Sequence, residues 1–147
     1  MGFPKGPVWR APRIVSQIFP TNASVLTTPN VTLFVADADY TIEQVAEVHE
    51  VLATDGSAVT LDIVKCTGTQ TAAQGTSILT AAFNLKATIN TVVRKAQSAG
   101  LVVTNNKAGL RVKAGDRIAA KFTGTLTALT GVNITLVLHP YKAKGLN

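Results

Sequence analysis

The chain of 147 residues contains few of the side chains from which catalytic and metal sites are built. It has one cysteine, Cys66, and two histidines, His49 and His139. A single cysteine excludes an intrachain disulfide and a cysteine-based metal site. Every apolar run is shorter than the roughly 18 residues that a membrane helix needs, and prolines interrupt the first residues where a signal peptide would have its apolar core. We therefore expect a soluble protein with no membrane partner, synthesised in the cytoplasm.

Charged residues are also scarce, at 15% of the chain where about a quarter is usual. A thinly charged surface is typical of proteins that bury part of it against neighbours, but a threonine-rich surface has the same composition. The charges are unevenly distributed, because residues 74–147 contain ten basic residues and only one acidic residue, Asp116. Such asymmetry fits head-to-tail contact, a basic face on an acidic partner, or pairing of opposite charges inside one domain.

Five of the six prolines lie within the first thirty residues. Proline fixes φ and removes a backbone donor, so this spacing forbids a helix and disfavours a central strand. Large apolar side chains stand between the prolines, and an extended segment of this kind needs another surface to cover it. Residues 1–30 are therefore predicted to form an extended arm. The residues predicted to anchor it on a neighbouring subunit are Phe3, Trp9, Ile14, Ile18 and Phe19.

Short segments of alternating apolar and polar residues, separated by turn signals, follow the arm. They predict an all-β fold, an antiparallel β-sandwich over residues 31–140, with a short basic tail over 141–147. The spacing of apolar residues over 42–53 also fits a helix, but the turn signal at Asp55-Gly56 favours a strand there. The predicted strands cover 31–36, 42–53, 58–66, 78–85, 88–96, 110–113, 117–122 and 132–139. The residues predicted to face the core from the last three of these strands are Leu110, Val112, Ile118, Ala120, Phe122, Ile134, Leu136 and Leu138.

Two hairpins are predicted, one around Asp55-Gly56 and one around the turn 114–116. In the second hairpin basic residues alternate with core residues and should share one outer face. Nucleic-acid binding would also need aromatic side chains on that face, and few are present, so nucleic acid is an unlikely partner. A solvated or protein-facing surface is favoured. The residues of this predicted basic face are Arg111, Lys113, Arg117 and Lys121.

No pattern in the chain predicts an enzyme, a metal site or a cofactor. His49 and Cys66 lie at different distances from the Asp55-Gly56 turn, so they should not meet as a base and a nucleophile. Asp37 and Asp39 lack the glycine and the trailing glutamate of a calcium loop, and we expect the acidic cluster over residues 37–50 to be solvated.

The run Leu110–Ala119, continued by 122–127 and 132–138, resembles the small virion proteins of tailed bacteriophages. Residues 58–65 and 90–93 fit the same pattern. The resemblance implies a jelly-roll-like sandwich that decorates and cements the capsid surface of the virion as a homo-oligomer, a trimer rather than a dimer, bridging subunits of the major capsid protein. A head-fibre base or tail component, a carbohydrate-binding host-attachment module and a nucleic-acid-binding internal protein remain as alternatives.

Overall fold

The computed structural model describes residues 12–18, 30–103 and 107–141. Within these residues no α-helix occurs, and ten strands pair in antiparallel fashion. The strands are β1 (Arg13–Ile18), β2 (Asn30–Val35), β3 (Tyr40–Val48), β4 (Thr60–Cys66), β5 (Thr76–Ser77), β6 (Phe83–Asn84), β7 (Val93–Ala96), β8 (Arg111–Val112), β9 (Arg117–Thr123) and β10 (Asn133–Pro140).

The strands form two five-stranded sheets. Sheet 1 has the order β1-β10-β3-β7, and β8 pairs with the start of β3. Sheet 2 has the order β2-β9-β4-β5, and β6 pairs with β4. The predicted all-β class and the antiparallel, jelly-roll-like sandwich are confirmed.

One continuous apolar core lies between the sheets. It is built by strand alternation, because every second side chain of a strand points to the same face. Sheet 1 supplies Ile134, Leu136 and Leu138 from β10, as the sequence predicted. Sheet 2 supplies the predicted inward residues of β9, which are Ile118, Ala120 and Phe122.

Both predicted hairpins are wrong. β3 belongs to sheet 1 and β4 to sheet 2, so residues 49–59 cross between the sheets instead of joining neighbours. β8 and β9 are likewise in different sheets. A turn signal predicts where the chain reverses, whereas the partner strand is chosen by long-range packing, and either sheet accepts the same inward and outward alternation.

The turn at Asp55 is nevertheless well defined. One oxygen of the Asp55 carboxylate accepts hydrogen bonds from the Ser57 hydroxyl at 2.6 Å and from the Thr125 backbone N–H at 3.2 Å. These bonds stabilise the charged form and lower the pKa of Asp55 to about 2. The carboxylate thereby ties this crossing to the loop that follows β9.

Strand lengths also depart from the expectations. The strand predicted over 42–53 is present as β3, which excludes the helical alternative. The strands predicted over 78–85 and 88–96 are largely irregular, with only β6 and β7 regular. Residues 86–94 are all exposed, so this stretch lies on the surface of the sandwich.

Part of the predicted arm belongs to the sandwich. β1 pairs with β10 from Arg13↔Leu138 to Ile18↔Asn133 and forms an edge of sheet 1. An edge position is compatible with a proline-rich segment, because a strand there needs hydrogen bonds on one side only. Residues 1–11 and 19–29 lie outside the described residues.

Candidate interaction site

Of the five predicted arm anchors, the structure places two. Ile14 projects from the outer face of sheet 1 and is 67% exposed, opposite Val137 on β10. The backbone of Ile18 pairs with Asn133. Phe3, Trp9 and Phe19 lie outside the described residues. The described part of the arm therefore lies on its own domain and presents Ile14 outward.

Arg13 fastens the start of β1 to the loop between β2 and β3. Its guanidinium donates to the Asp37 carboxylate at 2.6 Å and to the Tyr40 hydroxyl at 3.4 Å, and it lies 5.2 Å from the centre of the Phe34 ring. The Tyr40 hydroxyl donates in turn to Asp37 at 2.8 Å. This bond, followed by the bond from Arg13, lowers the pKa of Asp37. The sequence analysis did not select Arg13, because its partners are more than twenty positions away in the chain.

The four residues of the predicted basic face do not share one sheet. Arg111 is on β8 in sheet 1 and Lys113 is in the loop that follows, whereas Arg117 and Lys121 are on β9 in sheet 2. The common face fails because the hairpin that would have created it does not form. The role of these residues as contacts with a partner remains a prediction.

Of the two residues on β9, Arg117 contacts its own domain. Its guanidinium donates to the backbone carbonyl oxygens of Gly68 and Gln70 and so holds the loop that follows β4. Lys121 is half-buried, and its register partner on β4 is Asp62. The two remaining residues of the predicted face, Arg111 and Lys113, line a cavity.

Arg111 and Lys113 line a small open cavity at one end of the sandwich, which we call the Arg111 pocket. The guanidinium carbon of Arg111 lies 4.4 Å from the centre of the Tyr141 ring, within cation–π distance. The cavity has a volume of about 170 Å³. Its lining residues are Asp39, Arg111, Val112, Lys113 and Tyr141.

The backbone around the Arg111 pocket is held by hydrogen bonds from several elements. The Lys65 ammonium reaches across from β4 and donates to the carbonyl oxygen of Arg111 at 3.0 Å. The Tyr141 N–H donates to the carbonyl oxygen of Asp39 at 2.8 Å. One carboxylate oxygen of Asp39 accepts from the backbone N–H of Ala114 at 2.9 Å. The pocket is thus formed by β8, the residue after it, and the residues that flank one end of the β3–β10 pair, and Lys65 of β4 holds its backbone.

A second polar site lies inside the sandwich. Glu47 and His49 are each only 1% exposed, and the Nδ1 atom of His49 lies 2.8 Å from a carboxylate oxygen of Glu47. The Nε2 atom of His49 lies 3.2 Å from the carbonyl oxygen of Ala87. Burial raises the pKa of Glu47, and the contact with His49 opposes this in part. The expectation that the whole acidic cluster is solvated is wrong for Glu47, which follows the inward alternation of β3.

The structure does not bring His49 and Cys66 together. His49 is bonded to Glu47 and Ala87, whereas the Cys66 thiol contacts the carbonyl oxygen of Thr71 at 3.6 Å. Within the described ranges no group of three histidine, cysteine, aspartate or glutamate side chains is placed to hold a metal ion. Over the same ranges no helix is long and apolar enough to cross a membrane.

The described residues form an antiparallel jelly-roll-like sandwich, and the Arg111 pocket lies on its surface. A solved structure with the same fold is a chain of the capsid of Ralstonia phage GP4, with a TM-score of 0.62 and 13% sequence identity, covering 97% of this chain and 93% of that chain. A structure of infectious bursal disease virus strain Gx aligns with a TM-score of 0.42 and 12% identity, covering 99% of this chain and 37% of that chain, and is too dissimilar to carry an argument. No protein-family model and no curated protein matches the chain.

Proposed function

We propose that this chain is a structural protein of a bacteriophage virion that decorates the capsid and stabilises it by bridging major capsid subunits. The observation that carries the proposal is the whole-length likeness to a chain of a phage capsid. The two chains have nearly the same length, since the alignment covers more than nine-tenths of both. The likeness therefore extends over the whole sandwich.

The surface of the sandwich supports a role in assembly. Ile14 stands on the outer face of sheet 1 beside Ser16, Thr135 and Val137, so this part of the face carries no charge. Burying an exposed aliphatic side chain contributes on the order of 2 kcal/mol, and many copies on a shell add their contributions. The large apolar residues of the first eleven positions, Phe3 and Trp9, would add to the same contact.

Binding to capsid shells tests the proposal. Purified full-length protein is mixed with shells of its source phage that lack decoration, the shells are pelleted, and the bound copies are counted. We expect saturation at a fixed ratio to the major capsid protein. Failure of the protein to co-sediment at any concentration would contradict the proposal and direct the search to tail structures and glycans.

Two variants separate the arm from the sandwich. A chain lacking residues 1–11 removes Phe3 and Trp9 but keeps β1, and Ile14→Ser removes the exposed side chain of β1 without touching the core. Both should melt like the full-length protein and bind shells more weakly. Val103→Ser, which also removes an exposed aliphatic side chain, is the matched control and should bind normally. Equal binding by all forms would show that the contact is made elsewhere on the sandwich.

A further inference from the structure

We propose that the Arg111 pocket is a binding site for a carboxylate, supplied by an acidic side chain on a neighbouring virion protein. The nature of the neighbour rests on the proposed function, whereas the chemistry of the ligand rests on the pocket itself. Three of the residues that line the cavity carry hydrogen-bond donors in their side chains, and they are Arg111, Lys113 and Tyr141.

These donors have no acceptor among the described residues. Arg111 makes only the ring contact with Tyr141, and no side-chain hydrogen bond is formed by Lys113 or by the Tyr141 hydroxyl in that part of the chain. The guanidinium groups of Arg13 and Arg117, in contrast, are bonded to Asp37 and to loop carbonyl oxygens. Unused donors on residues that line one cavity are the chemical complement of an anion.

The charge of the lining favours a singly charged ligand. Arg111 and Lys113 contribute two positive charges and Asp39 one negative charge, so one carboxylate neutralises the site. A doubly charged phosphate would leave an excess negative charge beside Asp39. A volume of about 170 Å³ accommodates a carboxylate head, since a water molecule occupies about 30 Å³.

The pocket is also arranged before a ligand arrives. The Arg111 guanidinium carbon lies 4.4 Å from the centre of the Tyr141 ring, and the bond from Lys65 holds the Arg111 backbone. A guanidinium that rests against an aromatic ring still has N–H groups available for a two-point contact with a carboxylate. Little side-chain freedom is then lost when the ligand binds.

A titration of the full chain with a capped poly-glutamate peptide, followed by NMR, tests the anion site directly. Arg111→Gln should weaken the affinity at least about tenfold, as expected when charge-assisted hydrogen bonds are removed. Lys113→Gln should weaken it less, because it removes one point charge and no planar fork. Arg94→Gln is the matched control, since Arg94 is exposed on the same sheet, opposite Ala46 and roughly 16 Å from the register position of Arg111.

Two results of the titration would overturn the assignment. Unchanged affinity in Arg111→Gln would show that the peptide binds to diffuse positive charge and not to the pocket. Tighter binding of inorganic phosphate or of a thymidine oligonucleotide, with shifts at Arg111, would assign the site to phosphate instead of carboxylate.

Shell binding by the same variants separates this inference from the proposed function. We expect Arg111→Gln to lower shell affinity and Arg94→Gln to leave it unchanged. Peptide binding without shell binding would refute the capsid role and leave the carboxylate site standing. Normal shell binding by Arg111→Gln would refute the pocket as a contact and leave the capsid role standing.

Discussion

The buried carboxyl of Glu47 is hydrogen-bonded to the imidazole of His49, and burial raises its pKa. The carbonyl oxygen of Ala87 can only accept a hydrogen bond, so the Nε2 atom of His49 is placed to donate to it. The contact of 2.8 Å between Nδ1 and the Glu47 carboxyl oxygen then needs a shared proton between these two atoms. Polar groups that are bonded to one another in this way are tolerated in a core.

Glu47→Gln tests this shared proton. Glutamine donates to Nδ1 without titrating, so the variant folds with its hydrogen bonds intact. The raised pKa of Glu47 means that the wild-type protein loses stability relative to the variant as the pH rises above about 4.5, the ordinary value of the group. Urea unfolding of both proteins from pH 4.5 to 8 should show a difference that grows by up to about 1.4 kcal/mol per pH unit.

Glu47→Ala removes the hydrogen-bonding partner of His49, which Glu47→Gln keeps. It leaves Nδ1 of His49 without a partner and opens a void, and we expect a loss of about 2 to 4 kcal/mol. Parallel pH curves for the wild type and Glu47→Gln would show that Glu47 titrates normally in the fold and that no proton is retained.

Gly124 and Gly115 allow the cost of a positive φ to be measured separately from the cost of a steric clash. Both have φ near +90°, but an added Cβ at Gly124 would lie 2.4 Å from the Ala58 carbonyl oxygen, whereas at Gly115 it would meet nothing within 4 Å. Gly115→Ala should cost about 1 to 2 kcal/mol from φ alone. Gly124→Ala should cost at least about 2 kcal/mol more, because backbone has to move. Equal losses in urea unfolding would indicate that the two loops around Ala58 and Gly124 do not touch.

At the scale of the element, the way β1 is held on the sandwich determines which truncation can test the N-terminal region. Over residues 13–17 its side chains are exposed except that of Val15, which is half-buried against the core. The strand is held by its backbone pairing with β10 and by Arg13. Removing residues 1–29 would therefore uncover the edge of β10, which is why the shorter truncation is the cleaner test of Phe3 and Trp9.

A designed disulfide checks the register of β1. Ile14 and Val137 are direct partners on the outer face, and facing Cα atoms in antiparallel strands are close enough for a disulfide. The double variant Ile14→Cys and Val137→Cys should oxidise within one chain at low concentration, with Cys66 replaced by serine. Ile14→Cys with Asn133→Cys, four positions out of register, should not. Covalent dimers as the main product on a non-reducing gel would instead place β1 on a neighbouring copy.

The two incorrectly predicted hairpins show that the sequence indicates which residues of a strand face the core but not which strand it pairs with. The inward residues of β8 and β9, such as Val112 and Ile118, were identified correctly because alternation is a local property. Their pairing was not, because Val112 packs equally well toward the core from either sheet. The predicted basic face was wrong because it depended on the second hairpin. The chain does turn at Asp55 and at Gly115, as the turn signals predicted.

At the scale of the whole molecule, both sheets contribute to one core, and this predicts cooperative unfolding. Residues of β10 and β9 belong to the same apolar cluster, so neither sheet can separate without exposing the other. Calorimetry should show a single transition with equal calorimetric and van't Hoff enthalpies. Two resolved transitions, or a change in far-UV circular dichroism that precedes the heat absorption, would mean that the sheets unfold independently.

The sequence by itself determined the properties that depend on near neighbours along the chain. Alternation predicted the β class and the core faces of β9 and β10. Only the tertiary structure decided which strands pair, that β1 joins sheet 1, and that Arg13, Asp37 and Tyr40 meet. It also brought Arg111 onto Tyr141. These contacts join residues far apart in the chain, and their free energy comes from packing two sheets together, which no local pattern records.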